Sequence, residues 1–260
     1  MLYIANKKRK LIIGVIDFIG RVIYFPFKIF IRKDKKLENI KKILIIRVDG
    51  IGDLLLSLPA ISGLRKKYKN ASITVVTSNA SKELLENDKN VDKIITLNTP
   101  WFYGLSLSNI IKYIKTLKLL RKEKFDLIID IKGDARNILF LLMPLKAKIK
   151  VGSGKTGFGY LLDIDVPYLE GKHEIENNLN MMKYVGVKNI NKNISLNICK
   201  RDREKIRKLL KQNKISRKDF LVGVHLSTGY PTKQWDIEKF ANLCDSLINN
   251  YKVKVIITGT

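Results

Sequence analysis

Residues 41–48, KKILIIRV, form an apolar run behind two lysines and stop at the glycine turn Asp49–Asp53, DGIGD. A run that is apolar at successive positions, without alternation, buries both of its faces. That is the pattern of a parallel strand covered by helices on both sides. The same rhythm continues downstream. A helix is expected over Leu54–Tyr68, with Pro59 an early irregularity, then a strand over Ser72–Thr77 and a short helix over Ser81–Asp88. Strands Lys93–Leu97 and Asp126–Ile131 alternate with helices Asn109–Lys124 and Ala135–Met143. Alternating β and α units predict an α/β protein with a doubly wound parallel sheet.

Beyond this, the glycine-rich stretch Lys150–Glu170 reads as irregular and Ile175–Val185 as a helix. Arg201–Lys214 is a charged amphipathic helix, within a connecting segment 201–217. The rhythm then restarts with strand Phe220–Leu226, helix Asp236–Asn249 and strand Lys252–Thr258. The expected organisation is therefore an N-terminal segment 1–40, a Rossmann-like domain 41–200, the connection 201–217 and the beginning of a second Rossmann-like domain at 218–260. One β-α-β unit is too small to close a parallel sheet and leaves an apolar strand edge. Either it adds to the first sheet or the sequence is a piece of a longer protein, and the second is expected.

Charge is concentrated at the front. The chain has 50 Lys and Arg against 24 Asp and Glu, a formal net charge of +26. Residues 1–42 alone carry 12 against 3. Within them, LIIGVIDFIGRVIYFPFKIFI (residues 11–31) is flanked by Lys7–Lys10 and by Arg32, Lys33, Lys35 and Lys36. At about 100° per residue, Lys10, Asp17, Arg21, Lys28 and Arg32 fall on one stripe, and the rest of the circumference is apolar. Three readings follow: a helix lying in a membrane interface with basic flanks near anionic headgroups, a helix packed on the protein's own domain, or a spanning or signal helix. The internal charges and the lack of a small-residue cleavage site argue against the last. Pro26 is expected to kink or split the helix. Two cysteines are too few for a disulfide framework and suit a reducing compartment. Two histidines exclude a His-rich metal site, and no metal is expected.

Four clusters carry candidate chemistry. Gly50 and Gly52 lie in the turn between the first strand and the next helix, where a ligand can approach backbone N–H groups. The dinucleotide fingerprint fails, because its third glycine position is Leu55. Asp53 in this turn reads either as an N-cap carboxylate or as a general base at the sheet edge. Gly152–Thr156, GSGKT, superficially suggests a phosphate loop, but Ile149 stands where the pattern needs its first glycine. Asp130, Lys132 and Arg136 follow a strand end, where open α/β sheets bind ligands; a solvated loop with internal ion pairs is the alternative. Ser227, Thr228, Gly229 and Lys233 follow another strand end, and hydroxyls, a glycine and a lysine suit a diphosphate as well as an ordinary turn. His225 beside them reads as a satisfied histidine.

ILIIRVDGIGDLLLSLPAISGLRKKY, VDKIITL, FDLIIDIKGDARN, KVGSGKTGFGY, HEIENNLNMMKYVG and HLSTGYPTKQWDIEKFANLCDSL, in this order, resemble glycosyltransferase family 9, the ADP-heptose:lipopolysaccharide heptosyltransferases. The resemblance implies a GT-B fold of two Rossmann-like domains and inverting transfer of a heptose from ADP-heptose to inner-core lipopolysaccharide or a related surface glycolipid. It places the enzyme peripherally at the cytoplasmic face of the bacterial inner membrane, held through residues 7–36. It implies Asp53 as catalytic base and Ser227, Thr228 and Lys233 as contacts to the donor diphosphate, with no cofactor beyond the sugar nucleotide. Two other functions compete. One is a non-catalytic, membrane-bound sugar- or nucleotide-binding remnant of a shortened gene. The other is a nucleic-acid-binding protein, which the lack of any recognisable nucleic-acid module argues against.

Overall fold

The computed structural model describes residues 2, 4, 6–31, 37–188, 191–228 and 231–259. By its contacts the chain divides into two compact units, Met1–Asn197 and Ile198–Thr260. In the first unit a long helix, α1 (Lys7–Ile31), precedes strand β1 (Lys42–Arg47). Two short helices follow, α2 (Ile51–Leu55) and α3 (Leu58–Lys67), then strands β2 (Ser72–Thr77) and β3 (Lys93–Thr96). Helices α4 (Pro100–Tyr103) and α5 (Leu107–Lys122) lead to β4 (Phe125–Asp130) and α6 (Ala135–Asn137), which widens into a π-helical turn over Ile138–Leu142. Strands β5 (Ala147–Gly152) and β6 (Ile164–Asp165) and helix α7 (Glu174–Tyr184) complete the unit.

The sheet is parallel, in the order β3-β2-β1-β4-β5-β6. This is the doubly wound order, in which the winding direction reverses between β1 and β4. β1 is central: Ile43 lies opposite Ile73 of β2 and Leu127 of β4. Its alternate residues feed two cores. Ile43 and Ile45 pack with Ile61 and Leu64 of α3 and Leu179 and Met182 of α7. Leu44 and Ile46 pack with Leu120 of α5 and with Ile138, Leu141 and Leu142. Fully burying each such side chain contributes roughly 1.5–3 kcal/mol, and this requires both faces to be covered.

Three expectations change. The helix expected over Leu54–Tyr68 is two helices broken at Leu56–Ser57. The break is held by Ser57 Oγ donating to Asp53 O (2.9 Å) and Asn178 Nδ2 donating to Leu56 O (3.0 Å). The stretch from Lys150 is not simply irregular, since it carries the end of β5 and all of β6. In β5 apolar Ala147, Ile149 and Val151 alternate with lysines, of which Lys148 is exposed and Lys150 is half-buried with its Nζ donating to Met143 O (3.2 Å). Finally, Pro26 does not split α1, which is assigned as helix through it.

α1 lies on the first unit by its polar stripe. Asp17, 7% exposed, accepts a hydrogen bond from Phe158 N at 2.6 Å and pairs with Arg21 Nη2 at 3.2 Å. Gly157 and Phe158 turn the chain with φ of 113° and 62°, which presents that N–H to the helix. Tyr24 meets Tyr160 edge-on at 5.9 Å between ring centroids. The opposite face is apolar and exposed: Leu11, Ile12, Val15, Phe18, Val22, Ile23 and Phe25 point outward, Phe18 at 69% exposure. Among the described residues, no helix is long and apolar enough to cross a membrane. Of the expected basic flank, Arg32, Lys33, Lys35 and Lys36 lie outside the described residues.

The second unit holds helix α8 (Lys200–Gln212), strand β7 (Leu221–His225), helix α9 (Ile237–Tyr251) and strand β8 (Lys254–Thr258). β7 and β8 pair in parallel, Leu221 opposite Lys254, so this is a β-α-β unit. Asp236 caps α9 by accepting from Glu238 N (2.9 Å) and Lys239 N (3.1 Å).

The clamp on α1 is testable. Asp17→Ala leaves the Phe158 N–H without its acceptor, a loss of about 1–3 kcal/mol. Amide exchange should then quicken in residues 7–31 and 153–162, while Ile43–Ile46 in β1 keep their protection. Equal loss of protection in β1 would show that Asp17 supports the whole unit instead.

Candidate active site

Ligands of doubly wound sheets bind beyond the carboxyl ends of the strands where the winding reverses. Here those ends are Val48–Asp53 after β1 and Ile131–Asp134 after β4. A groove of about 370 Å³ opens there, lined by Arg47, Asp53, Lys132, Asp134, Lys155 and Glu174 among others.

Its organising charge is Arg47, the last residue of β1, with a side chain 2% exposed. Arg47 Nη2 donates to Asp53 Oδ1 at 3.2 Å. Arg47 Nε lies 3.0 Å from Asp49 Oδ1, and Nη1 lies 3.6 Å from Glu174 Oε1. Only the bond to Asp53 is aligned as a hydrogen bond, so Nε and Nη1 are held by charge alone. Asp49 also takes Lys132 Nζ at 3.1 Å through its other oxygen. A buried guanidinium thus gathers carboxylates from the β1 turn, from α2 and from the first turn of α7. Buried ions are tolerable only with such partners.

Asp53 lies inside α2, whose N-cap is Gly50, so the capping alternative does not hold. Its side chain is 48% exposed, and Oδ2 accepts no hydrogen bond among the described residues. A Cβ placed on Gly52 would meet nothing within 4 Å, and one on Gly50 would make an ordinary contact with Asp53. The glycines therefore leave the approach to Asp53 open. Lys132 reaches the same groove, but it is committed to Asp49 and to the Phe102 ring, 4.0 Å away. Arg136 turns back onto Asp134 (2.8 Å), Trp101 O and the Phe102 ring. Asp130 does not line the groove. It is fully buried, its Oδ2 accepting from Gly133 N and its Oδ1 from Asn137 Nδ2, both at 3.1 Å.

In the second unit, Ser227 and Thr228 follow the carboxyl end of β7, and Lys233 ends a 3-10 turn, Pro231–Lys233, ahead of α9. Leu226 N donates to Thr258 O at 3.1 Å, and His225 Nδ1 lies 3.1 Å from Thr258 Oγ1. His225 is thus a partnered histidine, as its sequence context suggests. Gly229 lies outside the described residues.

The sequence reading assigned no role to Arg47, Asp49, Glu174 or Lys155. For Arg47 a signal was present, because a charge ending a doubly buried strand requires partners. Lys155 sits in the glycine loop, whose Thr156 Oγ1 accepts from Ala135 N (2.8 Å) and donates to Gly133 O (3.2 Å). Gly133 has φ of 67°, and a Cβ there would lie 2.9 Å from Ser153 O, so glycine lets the two turns touch. Burial lowers the Lys155 pKa, and the neighbouring Glu174 opposes that shift.

A doubly wound parallel sheet with a partly exposed carboxylate at its switch point, followed by a β-α-β unit, is an α/β order shared with the GT-B class of glycosyltransferase folds. The profile of glycosyltransferase family 9 (heptosyltransferase) matches residues 113–260, more than half of the chain, and the chain belongs to that family. Lipopolysaccharide heptosyltransferase 3 of Escherichia coli K12 is 25% identical over 75% of this chain and 57% of its own length. The chain thus spans little more than half the length of the curated relatives it matches. A family 9 glycosyl transferase from Veillonella parvula superposes with a TM-score of 0.69 at 20% identity, over 84% of this chain and 62% of its own. The ADP-heptose lipopolysaccharide heptosyltransferase II of E. coli superposes with a TM-score of 0.61 at 19% identity, over 84% and 64%. At these identities the likeness is one of fold.

Burial pushes the pKa of Asp130 up to about 7, with the hydrogen bond from Asn137 opposing it. The folded value exceeds the unfolded one, so the folded state holds a proton that the unfolded chain has released. This contribution to stability is complete below the ordinary carboxylate range and is lost as the pH rises through about 7. Asp130→Asn has no such proton to lose. Its melting temperature should gain on that of the wild type between about pH 5 and pH 8. A difference constant with pH would refute the assignment.

Proposed function

We propose that this protein transfers a heptose-type sugar from a nucleotide-sugar donor, ADP-heptose or a close analogue, to a lipopolysaccharide core or related surface glycolipid, with inversion. The observation that carries the reading is Asp53. One carboxylate oxygen is fixed by buried Arg47, and the other faces an open groove at the switch point. In the proposed reaction an acceptor hydroxyl attacks the anomeric carbon from the side opposite the diphosphate and gives its proton to Asp53 Oδ2. The bond from that carbon to the diphosphate oxygen breaks, and the electron pair leaves with ADP. Lys233, Ser227 and Thr228 stabilise the departing negative charge, and this role needs no metal. Family membership and the name of the E. coli relative support the sugar and acceptor class.

The same reading seats the protein peripherally on the cytoplasmic face of the inner membrane through residues 7–36. The outward apolar face of α1 supports this, with exposed Lys7 and Lys8 at its start. Such a helix binds through buried apolar area plus attraction to anionic lipid.

In the native protein, Asp53→Asn should lower turnover by about 10²-fold or more and leave donor affinity within a few-fold. Isothermal titration with ADP and a coupled ADP-release assay separate the two effects. Unchanged turnover would remove Asp53 as the base. Donor binding by the wild type without transfer to any glycolipid would favour the binding-only alternative. Val22→Glu combined with Ile23→Glu should shift the protein from the membrane pellet to the supernatant, and undiminished pelleting would sink the anchor.

A further inference from the structure

The inward side of α1 is only partly used up by the Asp17 clamp. The remainder walls a cavity of about 960 Å³ between the helix and residues 153–170. Lys10 and Arg21 line it from the helix, and Ser153, Lys155 and Tyr168 from the domain. That volume is at the upper end for small-molecule sites and takes several sugar units.

On the domain wall one buried hydroxyl lacks a partner, and one half-buried ammonium lacks a carboxylate. Ser153 Oγ is buried, its residue 5% exposed, and has no hydrogen-bond partner. Lys155 Nζ forms no ion pair or hydrogen bond among the described residues, and rests 4.2 Å from the Tyr168 ring. A buried hydroxyl without a partner is costly, and an anion that accepts from it and pairs with the Lys155 ammonium would supply both. The cavity also has acidic neighbours. Asp17 and Asp165 are occupied by Phe158 N and Gly154 N (2.8 Å), and Glu170 is exposed. Lys155 also lines the Asp53 groove, and Ser153 and Lys155 both line the narrow gap beside it. Lys155 therefore belongs to the walls of both the cavity under α1 and the groove at Asp53.

We infer that the cavity under α1 is the entrance for the acceptor, and that Lys155 and Ser153 Oγ bind a phosphate on its phosphorylated saccharide head group while α1 lies in the bilayer that supplies it. This rests on the proposed transfer to a lipid-borne acceptor, and adds to it where the head group enters and what holds it. Lys10 and Arg21 line the way in. The helix that contacts lipid with one face guides the head group with the other.

Flotation of the native protein with phosphatidylcholine vesicles tests this, using vesicles alone, with lipid A, or with phosphatidylglycerol at equal charge density. Lipid A should raise wild-type binding about tenfold over phosphatidylcholine, the scale of one charge-assisted contact. Lys155→Ala should lose that gain and keep the gain from phosphatidylglycerol, while Lys155→Arg restores it. Ser153→Ala removes an unsatisfied buried group, so its melting temperature should hold while the lipid A gain falls a few-fold. Retention of the full lipid A gain by Lys155→Ala and Ser153→Ala would overturn the site. So would equal loss with both anionic lipids, which would mean general surface charge. Sugar transfer enters neither readout, so a failure of the transferase reading would leave this test intact.

Discussion

A guanidinium at the end of a doubly buried strand is the constraint around which this unit is arranged. Moving one ion out of water costs several kcal/mol even after relaxation, and the cost is met only by close opposite charge. Arg47 meets it with three carboxylates, and each comes from a different segment. Asp49 fixes the turn after β1, Asp53 fixes α2, and Glu174 ties in the start of α7. α7 returns the constraint, because Asn178 holds the carbonyl at which α2 and α3 part. The position of the carboxylate proposed as base is therefore a consequence of burying Arg47. Its second oxygen is left to the groove because the buried cation needs only the first.

The part of this legible in the sequence was the part fixed by burial on both faces. β1 is an unbroken apolar run between its end residues, and β2 and β4 are β-branched or apolar over most of their length. β5 escaped notice because two lysines alternate with Ala147, Ile149 and Val151 ahead of a glycine-rich stretch, which dilutes the apolar signal. The single expected helix over Leu54–Tyr68 is two because a side chain some 120 positions away, Asn178, occupies a carbonyl at the break. Pro59, in the first turn of the second helix, carries the local part of that signal, and Asn178 the part that is not local. The site divides in the same way. Asp53 could be placed at the sheet edge from its turn, but cap and base could be separated only once the helix was seen to begin at Ile51. Asp130 and Lys132, two residues apart, have opposite fates, one sealed beneath the turn and one in the groove.

Net charge is a poor guide to where anions bind in this chain, and the pairing of individual cations is a better one. At the carboxyl edge of the sheet, Lys132 is spent on Asp49, and Arg136 on Asp134 and Phe102. Arg47 is enclosed by acids. Lys155 is different because the glycine loop draws it inward without supplying a carboxylate within ion-pair distance. The loop resembles a phosphate-binding sequence but lacks the following helix that would make it one. Its glycines serve close packing of backbone against backbone, a Cβ on Gly154 lying 2.5 Å from Gly159 Cα. That packing is what holds Lys155 and Ser153 beside the cavity.

α1 inverts the usual arrangement of an amphipathic helix. A surface helix ordinarily turns its apolar face to the core. This one turns Asp17 inward, where it receives a backbone N–H, and leaves a wide apolar face outside. In water alone that orientation forfeits about 25 cal/mol for each Å² of apolar surface left exposed. A few polar contacts contributing about 1 kcal/mol each do not offset this over seven large side chains. The orientation becomes favourable when a second apolar phase covers the outer face, and a bilayer surface is such a phase. In the proposed arrangement the Asp17 clamp then sets the distance between that surface and the cavity that shares Lys155 with the Asp53 groove.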